Sequence, residues 1–378
     1  MKIAIASDWF APRRGGIESQ LLQLAERLGG RGHEVDVVTS TPRASEGDGF
    51  RVRQLDVLMI PGLELAVSPL LLHALRRELR RGYDVVHAHV SVVSPVGYVA
   101  AIVARSLGLP TVVTFHSVLR HKKRLLSAAN ALAGISRSAV VWSGVSELVA
   151  GQVRDALGST EVSLLPNGID LGLWRDTASP DRKGPGEILL VSTTRLHRKK
   201  RPLQLLRAFA QATTPPCPSV RLVVAGDGPQ RAAMEREIVA LGLRDGPRRV
   251  ELRGWLHPSE LRTLYAGADG FVLASMRESF GIAALEARAA RLPIIAMAQS
   301  GSREFLDPDV NALICRDDLD LVAQLARFIR DPALRSRLAA GPTSLDRYDW
   351  SAVVSAHETA YARATTRAVA AGAVAVSA

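Results

Sequence analysis

Short apolar runs alternate with longer stretches of helical periodicity along the chain. In the first half, four runs have the apolar pattern of buried β-strands: residues 2–6, 34–39, 85–87 and 111–114. Residues 18–29 and 94–107 repeat their apolar positions at helical spacing and end at Gly or Gly-x-Pro. Strands that alternate with helices predict a parallel sheet covered by helices on both faces.

This alternation is interrupted once and then resumes. A stretch rich in Pro, Gly and charged residues follows Leu165-Pro-Asn-Gly-Ile-Asp170 and predicts a linker at 171–186. Beyond it, five runs predict further strands: 187–193, 220–225, 250–252, 270–274 and 293–296. We therefore predict an α/β chain with two doubly wound domains, at 1–170 and 187–350, and a C-terminal helix with a disordered tail at 351–378. Ligands of such sheets bind at the carboxyl ends of the strands, so the expected site is a cleft between the domains.

Composition narrows the class of protein. The chain has 378 residues, of which 47% are hydrophobic and 22% charged, and this predicts a globular protein of two domains. Cys217 and Cys315 are too few for a disulfide framework or a zinc site and are typical of a reducing cytosol. The N-terminus has the pattern of a first strand, not of a signal peptide, and no run reaches the ~18 apolar residues of a membrane helix. We expect a cytoplasmic protein, either free or peripheral on the inner face of the cell membrane.

The net charge of +11 and the pI of about 10.3 predict an anionic partner. Nucleic acid, anionic lipid and phosphorylated small molecules all have the right charge, and an arginine-rich genome composition would also raise the pI. Aromatic residues make up 5% of the chain, and no basic run is interleaved with them, which disfavours single-stranded nucleic acid. We expect no nucleic-acid partner.

Two glutamates, Glu278 and Glu286, flank a Phe280-Gly281 turn and a run of small residues. If a helix begins near Phe280, Glu286 lies in its first two turns and Glu278 in the preceding loop. A helix N-terminus binds phosphate, and two acids beside it can accept hydrogen bonds from hydroxyls of a sugar and a ribose. The pattern favours a nucleotide-sugar pocket, and the alternative is a solvated helix face.

Other turns after predicted strands offer phosphate ligands. Gly15-Gly16 opens a helix without the G-x-G-x-x-G spacing of nicotinamide dehydrogenases. In the second domain, Arg195 can bind a diphosphate with its planar fork, and Lys200 adds a point charge.

Two turns of the second domain are expected to meet the nucleotide through their backbone. Gly226 and Gly228 lack side chains, which suits a close approach, and Leu256 lies in the turn after the strand at 250–252.

Histidines and Asp-x-Asp strings complete the candidates. His116 follows a strand and is expected to face the site, whereas His87 continues an apolar run and fits a core histidine. Asp307-Pro-Asp309 and Asp318-Leu-Asp320 are interpreted as turn and helix-cap residues, so no metal site is predicted.

The order of these motifs from Lys2 to about Trp350 resembles that of the retaining glycosyltransferases of family 4, which have the GT-B fold of two Rossmann-like domains facing across a cleft. The resemblance implies that Arg195 and Lys200 bind the donor diphosphate and stabilise the leaving group. It also implies that Gly16 donates its N–H to the same phosphates, and that closure of the domains completes the site.

Further roles follow from the same resemblance. Glu286 would hold the ribose, Glu278 the hydroxyls of the transferred sugar, and His116 would lie by the reacting carbon. The implied catalytic set is His116, Arg195, Lys200 and Glu278, acting with retention on GDP-mannose or a UDP-hexose and needing no metal or other cofactor. The chain departs from the family pattern at four positions: Arg201, Ser302, Asp309 and Ala312, where glycines are common.

The acceptor is predicted only as a hydroxyl compound. Residues 71–81 form a leucine-rich helix with Arg76, Arg77, Arg80 and Arg81, which could lie on anionic lipid or be an ordinary solvated face. A second basic cluster contains Arg120, Lys122, Lys123 and Arg124. Residues 7–19 are similar to the opening of phosphatidylinositol glycosyltransferases, which favours a membrane phospholipid or glycolipid. The alternatives are a soluble acceptor (a sugar phosphate, an inositol phosphate or a natural-product precursor), a nucleotide-sugar 2-epimerase and a non-catalytic anion-binding protein.

Overall fold

A computed structural model describes residues 1–13, 15–60, 65–66, 68–119, 126–127, 139–158, 161–175, 186–342 and 344–376. The chain divides into two compact units: unit 1 is Met1–Gly168 with Trp350–Ala378, and unit 2 is Ile169–Asp349. Each unit contains a parallel sheet with helices on both faces. The prediction of two doubly wound α/β domains is therefore confirmed.

Unit 1 has a seven-stranded parallel sheet in the order β3-β2-β1-β6-β7-β8-β9. Its strands are β1 (Lys2–Ser7), β2 (Glu34–Thr39), β3 (Phe50–Gln54), β6 (Val85–Val90), β7 (Thr111–Phe115), β8 (Val141–Gly144) and β9 (Val162–Leu164). A separate antiparallel pair joins β4 (Met59–Ile60) to β5 (Leu65–Ala66). β1 is an interior strand whose apolar residues are buried on both faces, with Ile3 in register with Val35 on one side and Val85 on the other.

The helices of unit 1 cover both faces of this sheet. They are α1 (Gly16–Gly30), α2 (Leu71–Leu79), α3 (Pro95–Ser106), α4 (Glu147–Leu157) and the C-terminal α12 (Trp350–Val376). The sequence placed residues 351–378 outside both domains with a disordered tail, but α12 extends to Val376 and belongs to unit 1. Its Val353 and Tyr361 are buried in one core with Ile5 and Val112, and this apolar contact returns the chain to its first unit.

The segment that ends unit 1 is held by side chains of α1 and α12. The Gln20 amide donates to the Gly168 carbonyl and accepts from the Gly168 N–H, both at 2.8 Å. A Cβ at Gly168 would lie 2.5 Å from the Trp350 ring, so only glycine fits there. Trp350 in turn donates from Nε1 to Gln23.

Unit 2 has a six-stranded parallel sheet in the order β12-β11-β10-β13-β14-β15. Its strands are β10 (Ile188–Thr193), β11 (Val220–Ala225), β12 (Arg248–Gly254), β13 (Gly270–Leu273), β14 (Ile294–Met297) and β15 (Ala312–Cys315). Its helices are α5 (Leu171–Arg175), α6 (Pro202–Ala212), α7 (Arg231–Ala240), α8 (Pro258–Ala266), α9 (Ile282–Ala289), α10 (Asp318–Arg330) and α11 (Pro332–Ala340). The predicted linker therefore begins with a helix of unit 2, and 176–185 lie outside the described residues.

The end of β6 differs from the prediction because this strand contains buried histidines. β6 was expected to end at His87 but continues to Val90, and His87 and His89 are both buried in it. A histidine interrupts an apolar pattern on paper, yet it fits a buried strand when its ring nitrogens find partners. No helix in the described part of the chain is long and apolar enough to cross a membrane.

Candidate active site

The carboxyl edge of the unit 2 sheet collects most of the predicted donor-binding residues. Arg195 and Lys200 follow β10, Glu278 follows β13, and Glu286 lies on α9. β10 and β13 are hydrogen-bonded neighbours, so the loops that leave them meet at one edge.

Lys200 and Glu278 form an ion pair that joins these two loops. The Lys200 ammonium donates to Oε2 of Glu278 at 2.6 Å, and the two side chains are 30% and 14% exposed. Lys200 ends a short 3₁₀ helix, Arg198–Lys200, and reaches the pair from there. A partly buried pair of opposite charges holds both groups in fixed geometry before any ligand arrives.

Arg201 is one of the departures from the family pattern, and its backbone conformation shows why glycine is common at this position. Its backbone is left-handed (φ 60°, ψ 44°), the conformation that favours glycine, so the usual glycine there has a conformational reason. Arg201 Nη2 donates to both carboxylate oxygens of Asp318, and Nη1 donates to the Ala274 carbonyl at 3.3 Å. These contacts connect the loop that carries Lys200 to the C-terminal end of β13 and the N-terminal end of α10. No sequence pattern predicted them.

Gly226 and Gly228 are required by the protein's own backbone. Both have positive φ angles, 137° and 155°, and a Cβ would lie 1.9 Å from the Thr194 carbonyl oxygen at the first and 2.6 Å from that of Leu196 at the second. The prediction explained these glycines by the approach of a nucleotide. The structure supplies a different cause, because the glycine turn packs against the loop that carries Arg195.

In the Phe280-Gly281 turn, Gly281 provides the backbone conformation that starts α9 and Phe280 packs into the core. α9 begins at Ile282, slightly later than predicted, with Gly281 as its N-cap at φ 95°. The Phe280 ring is buried against Phe305 and Tyr348, so only its backbone remains for a ligand.

Gly301, the residue before Ser302, supports the Glu278 loop. Its N–H donates to the Glu278 carbonyl at 2.9 Å, and a Cβ would lie 2.2 Å from the Ser279 oxygen. Leu256 is half-buried just past β12 and beside Trp255, which is 49% exposed.

Glu286 is only partly exposed on α9, and burial raises the pKa of its carboxyl to about 8. No hydrogen bond or ion pair to it is found among the described residues. The nearby phenol of Tyr265 donates instead to Thr193 at 2.8 Å. A carboxyl kept without a partner at a sheet's carboxyl edge is typical of a ligand-binding group.

Replacing Glu286 by glutamine is expected to stabilise the protein at alkaline pH. The folded pKa of about 8 exceeds the ordinary 4.5, so between these values the folded state holds a proton that the unfolded state releases. Wild-type stability therefore falls as pH rises through this window, by up to about 5 kcal/mol for complete burial. Glu286→Gln removes the loss, so its melting temperature should exceed that of wild type at pH 8.5 and match it at pH 4.5.

The control is Glu235→Gln, which changes an exposed glutamate of the same unit. Thermal melts from pH 4.5 to 8.5 make the comparison. A Glu286→Gln gain that does not grow with pH would contradict the buried, partnerless carboxyl.

In unit 1 the glycine turn lies at the start of α1. The helix begins at Gly16, and Gly15 is its N-cap with extended backbone. Arg13 forms an ion pair with the buried carboxylate of Glu18 at 3.2 Å and lies over the Trp9 ring. The N–H groups that open α1 suit an anionic ligand, and Arg13 is held by its pair with Glu18 in the first turn of that helix.

His116 is buried with three other histidines of unit 1. His116 Nε2 lies 2.9 Å from His89 Nδ1, and the rings of His89 and His87 lie 3.9 Å apart. Burial lowers the pKa of His116 to about 3 and that of His357 to about 4, and it lowers the pKa values of His87 and His89 well below the ordinary range. His87 is a core histidine as predicted, whereas the sequence did not place His89 in the site.

A pocket of about 270 Å³ lies at the carboxyl ends of β1 and β2. Asp8, Trp9, Arg13 and Thr41 contribute polar or aromatic groups to its wall. The Asp8 carboxylate is itself used in the fold, since it accepts from the Val96 N–H at 3.0 Å at the start of α3. The pocket combines a ring platform with a cation.

Asp307-Pro-Asp309 lies in a turn, as predicted, whereas Asp318-Leu-Asp320 forms the first turn of α10 and the N-cap is the preceding Asp317. Asp307 accepts from the Asn311 side chain in a turn, and Asp320 accepts from the Arg316 N–H at the start of α10. Within the described ranges, no group of three or more His, Cys, Asp or Glu side chains is arranged to hold a metal ion.

The basic helix is shorter than predicted. α2 ends at Leu79, with Arg80 as its C-cap, and Arg81 pairs with Glu78 at 2.9 Å. Leu72 of this leucine-rich helix is 52% exposed. Arg76 and Arg77 are also exposed. The second cluster, Arg120, Lys122, Lys123 and Arg124, lies outside the described residues.

Two doubly wound units with these site residues define a glycosyltransferase of the GT-B class. A family model described as "Glycosyltransferase Family 4" matches residues 14–173, and one described as "Glycosyl transferases group 1" matches residues 176–341. The chain belongs to this family, and the resemblance inferred from its motifs is confirmed.

Known relatives cover nearly the whole chain. It is 26% identical to one subunit of human phosphatidylinositol N-acetylglucosaminyltransferase over 97% of this chain and 77% of the relative. It is 28% identical to D-inositol 3-phosphate glycosyltransferase of Xylanimonas cellulosilytica over 93% of each. Among solved structures, HepE of Anabaena in complex with UDP and glucose matches with a TM-score of 0.70 and 20% identity, over 95% of this chain and 98% of that one.

Proposed function

We propose that this glycosyltransferase moves a hexosyl group from a nucleoside-diphosphate sugar to a hydroxyl of an inositol-phosphate compound, with retention of configuration. The observations that carry the donor half are the Lys200–Glu278 pair after β10 and β13 and the buried Glu286 carboxyl on α9, both in unit 2. The similarity to two inositol-phosphate glycosyltransferases supports the acceptor half.

The donor is bound by groups with separate tasks. Arg195 and Lys200 neutralise the diphosphate, and Glu286 accepts from the ribose hydroxyls. Glu278 holds Lys200 through Oε2, while its other oxygen can accept from a sugar hydroxyl. In unit 1 taken by itself, the Gly16 N–H can donate to a phosphate and His116 to a sugar hydroxyl.

The chemical step breaks the bond from the anomeric carbon to the diphosphate oxygen and forms one to the acceptor oxygen. The departing phosphate takes the acceptor's proton on the same face, which retains configuration. Negative charge grows on the leaving group through an oxocarbenium-like state, so fixed cations stabilise the transition state more than the ground state. In this proposal Arg195 and Lys200 supply that charge, and no metal ion or other cofactor is needed.

A thermal-shift panel with UDP, GDP, ADP and their sugars tests the donor site. We expect one nucleoside diphosphate to raise the melting temperature selectively, because a ligand at one hundred times its dissociation constant adds ~2.7 kcal/mol to the stability of the folded state. The shift should be lost in Lys200→Ala and kept in Lys199→Ala, which removes an exposed neighbour. A protein that responds to none of these compounds would contradict the proposed donor.

The pocket of about 270 Å³ in unit 1 is the proposed acceptor site. Arg13, which lies over the Trp9 ring, can bind the phosphate of an inositol phosphate that enters this pocket. These groups recognise free and lipid-linked inositol phosphate equally, so the pocket alone does not distinguish a soluble from a membrane acceptor.

α2 supports the membrane acceptor. Leu72 and Arg76 are one helical turn apart and both exposed, and Arg77 and Arg80 add positive charge to the same exposed region. No carboxylate partner of these three arginines is found among the described residues. Exposed leucine beside unpaired arginines is typical of a helix that lies on anionic lipid. We propose a cytoplasmic protein that is peripheral on the inner membrane face.

Vesicle co-sedimentation checks this. At ~1 kcal/mol per basic residue, the triple variant Arg76→Glu, Arg77→Glu, Arg80→Glu should bind phosphatidylinositol-containing vesicles at least about a hundredfold more weakly than wild type. The matched control changes three exposed arginines of unit 2 to glutamate: Arg236, Arg244 and Arg337. If wild type does not bind such vesicles at physiological salt, the acceptor is soluble.

A further inference from the structure

Unit 1 contains a buried chain of hydrogen bonds that determines where the protons lie. Ser143 donates to the Val113 carbonyl at 3.1 Å, since a carbonyl only accepts. The Thr114 hydroxyl must then donate to Ser143 Oγ at 2.7 Å and accept from His87 Nε2 at 2.7 Å. His87 therefore carries its proton on Nε2 and accepts at Nδ1 from the Tyr361 hydroxyl, 2.9 Å away.

His89 lies between this chain and His116. Its ring packs on His87 with the centroids 3.9 Å apart, and its Nδ1 lies 2.9 Å from His116 Nε2. Its other nitrogen, Nε2, is buried and has no hydrogen-bond partner among the described residues. The 2.9 Å bond can form in two ways, with either ring as donor.

The lack of a hydrogen-bond partner at His89 Nε2 decides which of the two rings donates in the bond between His89 and His116. If His116 donated, the proton of His89 would lie on its buried Nε2 without an acceptor, and orphaned buried N–H groups are rare and costly. If His89 donates from Nδ1, its Nε2 keeps only a lone pair. His116 then accepts at Nε2 and carries its own proton on Nδ1.

We propose that His89 is a positioning residue that holds His116 in the tautomer protonated on Nδ1, so that His116 offers an N–H donor to a hydroxyl of the transferred sugar. This rests on the proposed function, in which His116 contacts that sugar. A donor fixed before the substrate arrives needs no reorientation during the reaction. His89 itself touches no substrate and acts through His116.

The test observes the tautomer directly in the ligand-free protein. Nitrogen-15 histidine labelling and long-range proton–nitrogen spectra at pH 7.5 distinguish a protonated from an unprotonated ring nitrogen. The His116 signals are assigned by their loss in His116→Gln. We expect Nδ1 protonated and Nε2 unprotonated in wild type.

Three variants separate positioning from packing. His89→Asn places an amide N–H near the Nδ1 position and should preserve the His116 tautomer, whereas His89→Leu should convert it to the Nε2–H form or to a mixture. His357→Leu is the matched control, because it removes a buried histidine of the same cluster whose bond goes to the Val353 carbonyl. It should leave His116 unchanged.

Ligand-binding measurements then test whether the His116 tautomer affects recognition of the sugar. UDP with UDP-glucose, and GDP with GDP-mannose, serve as probe pairs in calorimetric titrations. The affinity gained from the sugar should fall roughly tenfold in His89→Leu and recover in His89→Asn, while nucleoside-diphosphate affinity stays constant.

A wild-type His116 protonated on Nε2, or a His116 tautomer that is the same in His89→Leu, would overturn the proposal. Failure of every probe pair to bind would instead contradict the proposed donor, and the spectra of the ligand-free protein would still decide the role of His89.

Discussion

Lys200→Ala is expected to lower kcat by about 10²–10³-fold, the effect of removing one preorganised group that stabilises developing charge. Two losses combine in this variant. The leaving diphosphate loses a cation, and Glu278 loses the partner that lies 2.6 Å from its carboxylate. An uncompensated carboxylate beside the diphosphate would repel it, so donor affinity should fall as well.

Neighbouring Lys199 provides the control, because it lies on the same 3₁₀ helix with its side chain exposed. Lys199→Ala should keep wild-type kcat. Transfer or hydrolysis of the nucleotide sugar identified in the thermal-shift panel provides the assay. A Lys200→Ala enzyme with more than about a tenth of wild-type activity would mean that Lys200 does not stabilise the leaving group.

Mild acid is expected to destabilise unit 1 steeply. Four buried histidines have folded pKa values below the ordinary 6.5: His87, His89, His116 and His357. Below pH 6.5 these histidines therefore bind protons in the unfolded chain and stay neutral in the folded unit. Each histidine then removes ~1.4 kcal/mol of stability per pH unit. Their stabilising effect is present above pH 6.5 and is lost as pH falls.

Two carboxyls of unit 1, Asp8 and Glu26, oppose this trend, because burial raises the pKa of each. Burial raises the pKa of Asp8 to about 6, so its folded form binds a proton more readily and offsets about one histidine between pH 6 and 4. The expected net slope in unit 1 is therefore roughly 4 kcal/mol per pH unit just below pH 6. Urea unfolding at several pH values gives the slope, and hydrogen exchange in β6 and β7 assigns it to unit 1.

A substitution inside the cluster identifies the origin of that slope. His357→Leu should reduce it by one histidine's share, whereas His73→Gln, at an exposed position of α2, should not change it. Equal slopes in wild type and His357→Leu would show that the buried histidines are not the cause.

Much of the fold was predictable because it depends on local pattern. Buried parallel strands such as β2 and β11 are mostly apolar, with Asp36 and Arg221 as interruptions, and the structure has them at the predicted bounds. β3, β8, β9 and β15 were not predicted, although β13 and β14 are equally short and were, because a run of three to five residues carries too little periodicity to separate every strand from a loop. The return of α12 to unit 1 was not predictable either, since its apolar face only shows that it packs somewhere.

The site was predictable residue by residue but not in its connections. The motifs identified Lys200, Glu278 and Glu286, because chemistry limits which side chains can bind phosphates and hydroxyls. They did not show that Lys200 and Glu278 form a pair, or that Arg201 takes a left-handed backbone and binds Asp318. Each of these contacts joins loops far apart in sequence.

The sequence by itself determined the fold class, the family and the chemical types of the site residues, because periodicity and motif order are local properties of the chain. Only the tertiary structure decided which charges pair, which glycines serve the protein's own packing, and which histidine holds His116. Those outcomes depend on distances and burial between segments, and burial sets both the cost of an unpaired polar group and the pKa of an ionisable one.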